Sequence, residues 1–72
     1  MRLSRHAKNR LRLIARRHPL ITADRLFEAL PDARTLGYDD RGNRRARLSV
    51  GGLALILVID ESRGLVITIW AE

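Results

Sequence analysis

The sequence predicts an α+β domain: two amino-terminal helices packed on a three- to four-stranded antiparallel sheet. Apolar residues recur at helical spacing up to Leu30, and the period drops to two after Ala33. Short turns rich in Gly and Asp separate the later segments. Helices followed by short strands bury their apolar surfaces best as a helix layer on one face of the sheet.

Arg2–Leu3 starts as a very short strand. Ser4 stands as the N-cap of a first helix that runs to about Arg17. Ala7, Leu11, Ile14 and Ala15 form its apolar stripe, and Arg5, Lys8, Arg12 and Arg16 run down the opposite side. His18-Pro19 stops it, because the residue before proline avoids helical geometry. Thr22 caps a second helix over about Ala23–Leu30, with Ile21 and Leu26 in staple positions and Asp24 at the positive helix end. Its stripe is Ala23, Leu26, Phe27 and Leu30, and Pro31 ends it.

Ala33–Tyr38 reads as a strand, and Asp39–Asn43 as a turn in which Gly42 and Asn43 suit positive φ. Arg44–Val50 alternates, with Ala46, Leu48 and Val50 on one side and Arg45, Arg47 and Ser49 on the other. Gly51-Gly52 marks a tight hairpin. Leu53–Asp60 is an apolar central strand, Glu61–Gly64 a turn, and Leu65–Trp70 the last strand. The charged side of Arg44–Val50 should look away from the helices or else lie at the sheet rim, leaving one sheet face dry and the other partly wet.

The 72 residues make one domain, 1–72. A chain of this size buries only about 60% of its unfolded surface. With no cysteine and no metal-ligand cluster, neither disulfides nor zinc staple it. The longest apolar run, Leu53–Ile59, falls far short of the roughly 20 residues of a membrane span. The basic amino-terminus is not followed by a signal-peptide core, so a cytoplasmic location without membrane association is the expectation. Net charge is +6, and the first seventeen residues hold seven of the fourteen Arg and Lys with no acid. That balance favours nucleic acid, an acidic protein or an anionic membrane surface as partner, with RNA or another polyanion the first candidate. Thirteen of the fourteen cations are Arg, which fits the forked geometry of phosphate contacts as well as it fits a GC-rich coding sequence.

Two groups of residues could carry chemistry. His6 lies in the first turn of the first helix among Arg5, Lys8 and Arg10. A neutral imidazole in that position can serve as a general base. The competing reading is a surface histidine near a helix start. His18, beside Pro19, reads as a cap or solvent residue. Arg45 and Arg47 share a strand face about 7 Å apart, a spacing that suits successive phosphates. Thr68 and Trp70 alternate in the same way on the last strand, and Trp70 could stack on a base. The competing readings are a core or edge residue for Trp70 and an ordinary solvated strand face for Arg45 and Arg47. With one Phe, one Tyr and one Trp, the chain has no aromatic platform of the RNA-recognition type.

The acids Asp39, Asp40, Asp60 and Glu61 belong to turns. Gly51-Gly52 lies between strands and matches no phosphate loop or dinucleotide fingerprint, so no cofactor is expected. RNA cleavage by its own 2′-hydroxyl needs no cofactor: a base, a cation for the phosphorane and an acid are enough. A helix-turn-helix is a weaker alternative, because Arg25 is the only cation of the second helix.

The opening Leu3, Ser4, His6, Ala7, Arg10 and Arg12 resembles a small domain family that begins with a His-Ala-led helix. Its members continue with a short second helix and end in a Val-Ile-Thr-hydrophobic motif, here Val66-Ile67-Thr68-Ile69-Trp70. The element order also resembles the RelE/ParE-like toxins and the wider barnase, EndoU and colicin-type ribonuclease fold. The resemblance implies a RelE-like, toxin-type domain that binds RNA and cleaves it without metal. It places the site on the sheet and at the helix start, which in this chain means His6, Arg45 or Arg47, and Thr68. In that reading His6 is the base, Arg45 and Arg47 hold phosphate, and Thr68 orients or donates a hydrogen bond. Arg5, Lys8, Arg12 and Arg16 form the basic approach surface. An acidic antitoxin-like protein is the implied partner. The chain departs from RelE-type toxins in having no clear first strand and no basic carboxyl-terminal tail. The alternative is a non-catalytic phage or bacterial module that binds nucleic acid or an acidic protein through the first helix.

Overall fold

A computed structural model describes residues 1–72 as two helices on one face of a five-stranded sheet. The order along the chain is β1 (Arg2–Leu3), α1 (Arg5–Arg17), α2 (Ala23–Ala29), a single 3-10 turn (Leu30–Asp32), β2 (Arg34–Tyr38), β3 (Arg44–Val50), β4 (Leu53–Asp60) and β5 (Leu65–Ala71). Across the sheet the strands lie β1-β5-β4-β3-β2. The α+β class and the antiparallel β2–β5 meander match the sequence-based expectation.

One expectation needs correction. The sheet has five strands and is mixed, because β1 pairs parallel to β5 with Arg2 opposite Leu65 and Leu3 opposite Val66. The very short strand expected at Arg2–Leu3 is present, and its parallel pairing is what departs from the expectation. Two residues carry no periodicity of their own, and their partner lies at the far end of the chain. The second helix keeps its expected span to within one residue, with Leu30 as its C-cap and Pro31 in the 3-10 turn that follows.

Ser4 joins β1 to α1 and holds both. Its N–H donates to Val66 O at 2.9 Å. Its Oγ accepts the Ala7 N–H at 2.9 Å as the helix N-cap, and donates to Ile67 O at 2.6 Å. One turn and a half later Arg10 Nε donates to Ile69 O at 3.1 Å. Because β1 is so short, the rest of the β5 edge would be open to another strand. Ser4 and Arg10 occupy its outward carbonyls and close that edge. At the other end of α1, the His18 N–H caps the helix by donating to Ile14 O at 3.0 Å.

The core lies between the helices and one sheet face. Ala7 and Leu11 of α1, Ile21, Leu26 of α2, and Ala46, Leu48, Val50, Leu55, Leu57, Ile59, Val66 and Ile69 of the strands form a single cluster. Burying a side chain such as Leu57 or Ile59 contributes about 1.5–3 kcal/mol. Of the stripe expected on α2, Leu26 alone is buried, whereas Ala23, Phe27 and Leu30 remain half-exposed. Beneath them α1 packs on β5 and α2 on β3, leaving a trough between the helices.

Candidate nucleic-acid interface

The sheet face turned away from the helices gathers four of the residues singled out from the sequence, Arg45, Arg47, Thr68 and Trp70. Strand pairing sets them in rows. Thr68 of β5 lies opposite Val58 of β4, which lies opposite Arg45 of β3. In the next row Trp70 faces Ile56, Ile56 faces Arg47, and Arg47 faces Arg34 of β2. A third row continues with Ala54 and Ser49, and Glu72 reaches it through its N–H to Ala54 O at 3.0 Å.

Side chains cover this face. The Arg45 guanidinium lies 5.9 Å from the centre of the Trp70 ring, within cation–π range. It reaches diagonally across β4 to do so. Beneath the two sits Ile56, 5% exposed and the one buried residue that belongs to no part of the core cluster. The long stems of Arg45 and Arg47 and the indole shield it, as amphipathic side chains do. Arg47 pairs with the Glu72 carboxylate, both groups being about half exposed. Arg34 has no acidic partner, so two cations stand directly opposite each other and only Arg47 is paired with a carboxylate.

A bulge in β5 sets the inward and outward faces. Pairing slips by one residue between Val58 and Ile59, so Ile67 and Thr68 both oppose Val58. The extra residue lets Val66 and Ile69 both point into the core, each fully buried, while Thr68 and Trp70 share the outer face with Arg45 and Arg47.

The remaining candidates occupy other surfaces. His6 is exposed in the first turn of α1, in the helix layer and not on the outer sheet face. It is one turn before Arg10, which is anchored on the β5 edge. With strands about 4.8 Å apart, Arg45 on β3 lies about 10 Å beyond β5 as seen from there. The structure thus joins Arg45, Arg47, Thr68 and Trp70, and leaves His6 outside that group. Arg5, Lys8, Arg12 and Arg16 are exposed on α1, on the helix side of the sheet, with Lys8 and Arg12 lining the trough beside α2. None of the four is paired with an acid. The basic helix and the basic sheet face therefore present their cations on two different sides of the molecule.

Beside the outer face, the β2–β3 turn is organised by Asp39. Its carboxylate accepts the Asn43 N–H and the Arg41 N–H, each at 2.9 Å, and the Asn43 side-chain amide at 3.2 Å. These donors, Asn43's backbone first, hold the carboxyl below its usual range. Gly42 takes the left-handed conformation (φ 79°), and Asn43 does not. Asp60 has a comparable turn role, accepting from Ser62 Oγ at 2.7 Å and from the Arg63 N–H at 3.2 Å. No cluster of three or more His, Cys, Asp or Glu is placed to hold a metal ion. No helix is long and apolar enough to cross a membrane.

Sequence reasoning passed over Arg34 and Glu72. The alternation of β2 could have marked Arg34 as an outward cation. The Glu72–Arg47 pair had no signal, since it depends on the bulge-set register. No protein-family model matches the chain, and no curated protein and no solved structure is significantly similar to it.

Proposed function

We propose that this chain is a toxin-type, RelE-like domain that binds single-stranded RNA on the outer face of its sheet. The observation that carries the reading is the Arg45–Trp70 cation–π contact, flanked on the same face by the opposed cations Arg34 and Arg47. Like charges set directly opposite each other across a sheet are destabilising, and a bound phosphate relieves that cost. The indole offers a base a π-face worth about 1–3 kcal/mol, and Arg45, whose guanidinium lies over the same ring, adds a positive charge for the adjoining phosphate. Thr68, in the same row as Arg45, supplies a hydroxyl that can donate to a phosphate or accept from a 2′-hydroxyl. The RelE-like element of the proposal rests on the chain order of two helices before the β2–β5 meander.

The geometry favours binding over cleavage through His6. A general base must come within hydrogen-bond reach of the proton it takes. RNA seated on Arg45 and Trp70 is on the opposite layer from the first turn of α1. The test titrates a labelled single-stranded RNA of about 12 nucleotides against the protein and its Arg45→Ala and Trp70→Ala variants. Each variant should weaken binding by about 5- to 150-fold, with the fold intact by circular dichroism. Binding that is equally tight in both variants refutes the sheet site. In EDTA the bound RNA should remain uncut. Cleavage that disappears in His6→Ala would replace this reading with the ribonuclease one.

A further inference from the structure

The trough between α1 and α2 is a second surface that the RNA reading does not use. It encloses about 650 Å³, within the range of small-ligand sites, and is walled by Leu3, Leu11, Ala15, Ile21 and Phe27. The cause lies in the fold. α2 has only seven residues, and its one buried side chain is Leu26, so it cannot cover the apolar flank that α1 turns toward it. Polar side chains are few along these walls. Thr22 is the one uncharged polar residue, and its hydroxyl is engaged as the N-cap of α2, accepting the Arg25 N–H at 3.2 Å. The other polar side chains are three cations, Arg2, Lys8 and Arg12, with no acid beside them. No carboxylate of the chain stands within ion-pair distance of any of the three.

Such walls select among small molecules. A nucleobase or a sugar needs side-chain hydrogen-bonding groups along its length, and a neutral hydrocarbon gives the three cations nothing to pair with. The matching ligand is apolar along its length and anionic at one end. We infer that the α1–α2 trough binds a medium-chain acyl carboxylate. Its chain lies along Leu11, Ala15 and Phe27 and takes their apolar surface out of water. Its carboxylate sits on the cationic side of the trough. There Lys8 and Arg12 lie one turn apart on the same side of α1, and Arg2 belongs to the neighbouring β1. Charge selects this occupant over a second copy of the chain, because two copies would bring together two bodies of net charge +6. A recess between two helices admits a single chain, whereas a bilayer presents a broad surface. The trough is on the helix side, so a bound acyl chain leaves Arg45, Arg47 and Trp70 free.

The probe is decanoate, kept below its micelle-forming concentration and titrated into isotope-labelled protein while backbone amide shifts are followed by NMR. Shifts should centre on Leu11, Ala15 and Phe27 and spare Arg45 and Trp70. Affinity should rise through hexanoate, octanoate and decanoate by about two- to fourfold per methylene, the upper value being that of a fully buried one. Decylammonium, with the same chain and the opposite charge, should bind at least about tenfold more weakly than decanoate. Lys8→Gln/Arg12→Gln should weaken octanoate about tenfold or more and leave neutral octan-1-ol within about twofold, because the apolar walls are intact. Ala15→Phe fills the trough and should cut the binding of both about tenfold or more. Arg5→Gln/Arg16→Gln makes the same charge change outside the trough, and Arg45→Ala alters the RNA face. Both should stay within about twofold of the parent. The inference is overturned if decanoate shifts no amide along the trough, or if affinity does not grow with chain length. It is overturned equally if the Arg5/Arg16 variant loses as much as the Lys8/Arg12 one. Anionic phosphatidylglycerol vesicles that bind where decanoate does not would replace the single chain with a membrane surface. A concentration-dependent dimer that Ala15→Phe dissolves would assign the trough to a second copy instead. None of these outcomes bears on RNA binding by Arg45 and Trp70, so the two readings fail separately.

Discussion

Replacing Glu72 by Gln should strengthen RNA binding. In the parent the Glu72 carboxylate holds the Arg47 guanidinium, and phosphate must compete with it. Both side chains are about half exposed, so the pair is a solvent-screened one and contributes about 0.2–1 kcal/mol. Releasing Arg47 should therefore raise affinity by about 1.4- to 5-fold. Arg47 then becomes a full phosphate contact. The slope of log K against log salt should steepen by about 0.7, the value for one phosphate on a single strand. Thermal stability should fall by no more than about 4–8 °C, the effect of 1 kcal/mol in a domain of this size. Anisotropy of a labelled single-stranded RNA, measured at four or more salt concentrations, reads both numbers. Arg47→Ala/Glu72→Gln serves as control and should lose the gain. Weaker or unchanged binding by a folded Glu72→Gln protein would refute the role given to Arg47.

Other predictions concern the scaffold. Ser4→Ala removes the N-cap of α1 and leaves Ile67 O without its donor. The loss should be about 1–3 kcal/mol, seen as a lower urea midpoint at unchanged slope. Gly51 has φ 56°, and a Cβ there would meet Ile21 Cδ1 at 3.2 Å and Leu20 Cβ at 3.3 Å. Gly51→Ala should accordingly destabilise by about 1 kcal/mol or more on thermal melting. Asp39 is held below its usual 3.8 by its turn donors, so its contribution is present above that pH and is lost as pH falls through the lower folded value. The stability gap between the parent and Asp39→Ala should therefore be constant near neutrality and close below pH 3.8, as followed by urea midpoints across an acid series.

Local signals carried most of the fold. Ser4 and Thr22 cap the two helices as their side chains suggest. The alternation of Arg44–Val50 placed Arg45 and Arg47 on the outer face correctly. Non-local facts were not legible. β1 pairs with a strand at the other end of the chain, and two residues give no pattern from which to read it. Strict alternation cannot bury both Val66 and Ile69, three positions apart; the bulge at Ile67 does so, and nothing in the residues announces it. Helical periodicity marked Ala23, Phe27 and Leu30 as core, because it reports an apolar face and not whether anything covers it. The charges of α1 read as one basic stripe, but the layers separate that stripe from the sheet cations. Grouping His6 with Arg45 rested on the resemblance, and the helix layer holds His6 apart.

Trp70 is the only tryptophan of the chain, so its fluorescence reports directly on the proposed site. Titration with single-stranded RNA should quench that emission saturably, with the same affinity that anisotropy gives. Arg45→Ala should weaken the quenching, and Lys8→Glu/Arg12→Glu should leave it nearly unchanged. RNA binding without any change in Trp70 emission, or quenching that follows the α1 cations and not Arg45, would contradict the assignment of RNA to the sheet face.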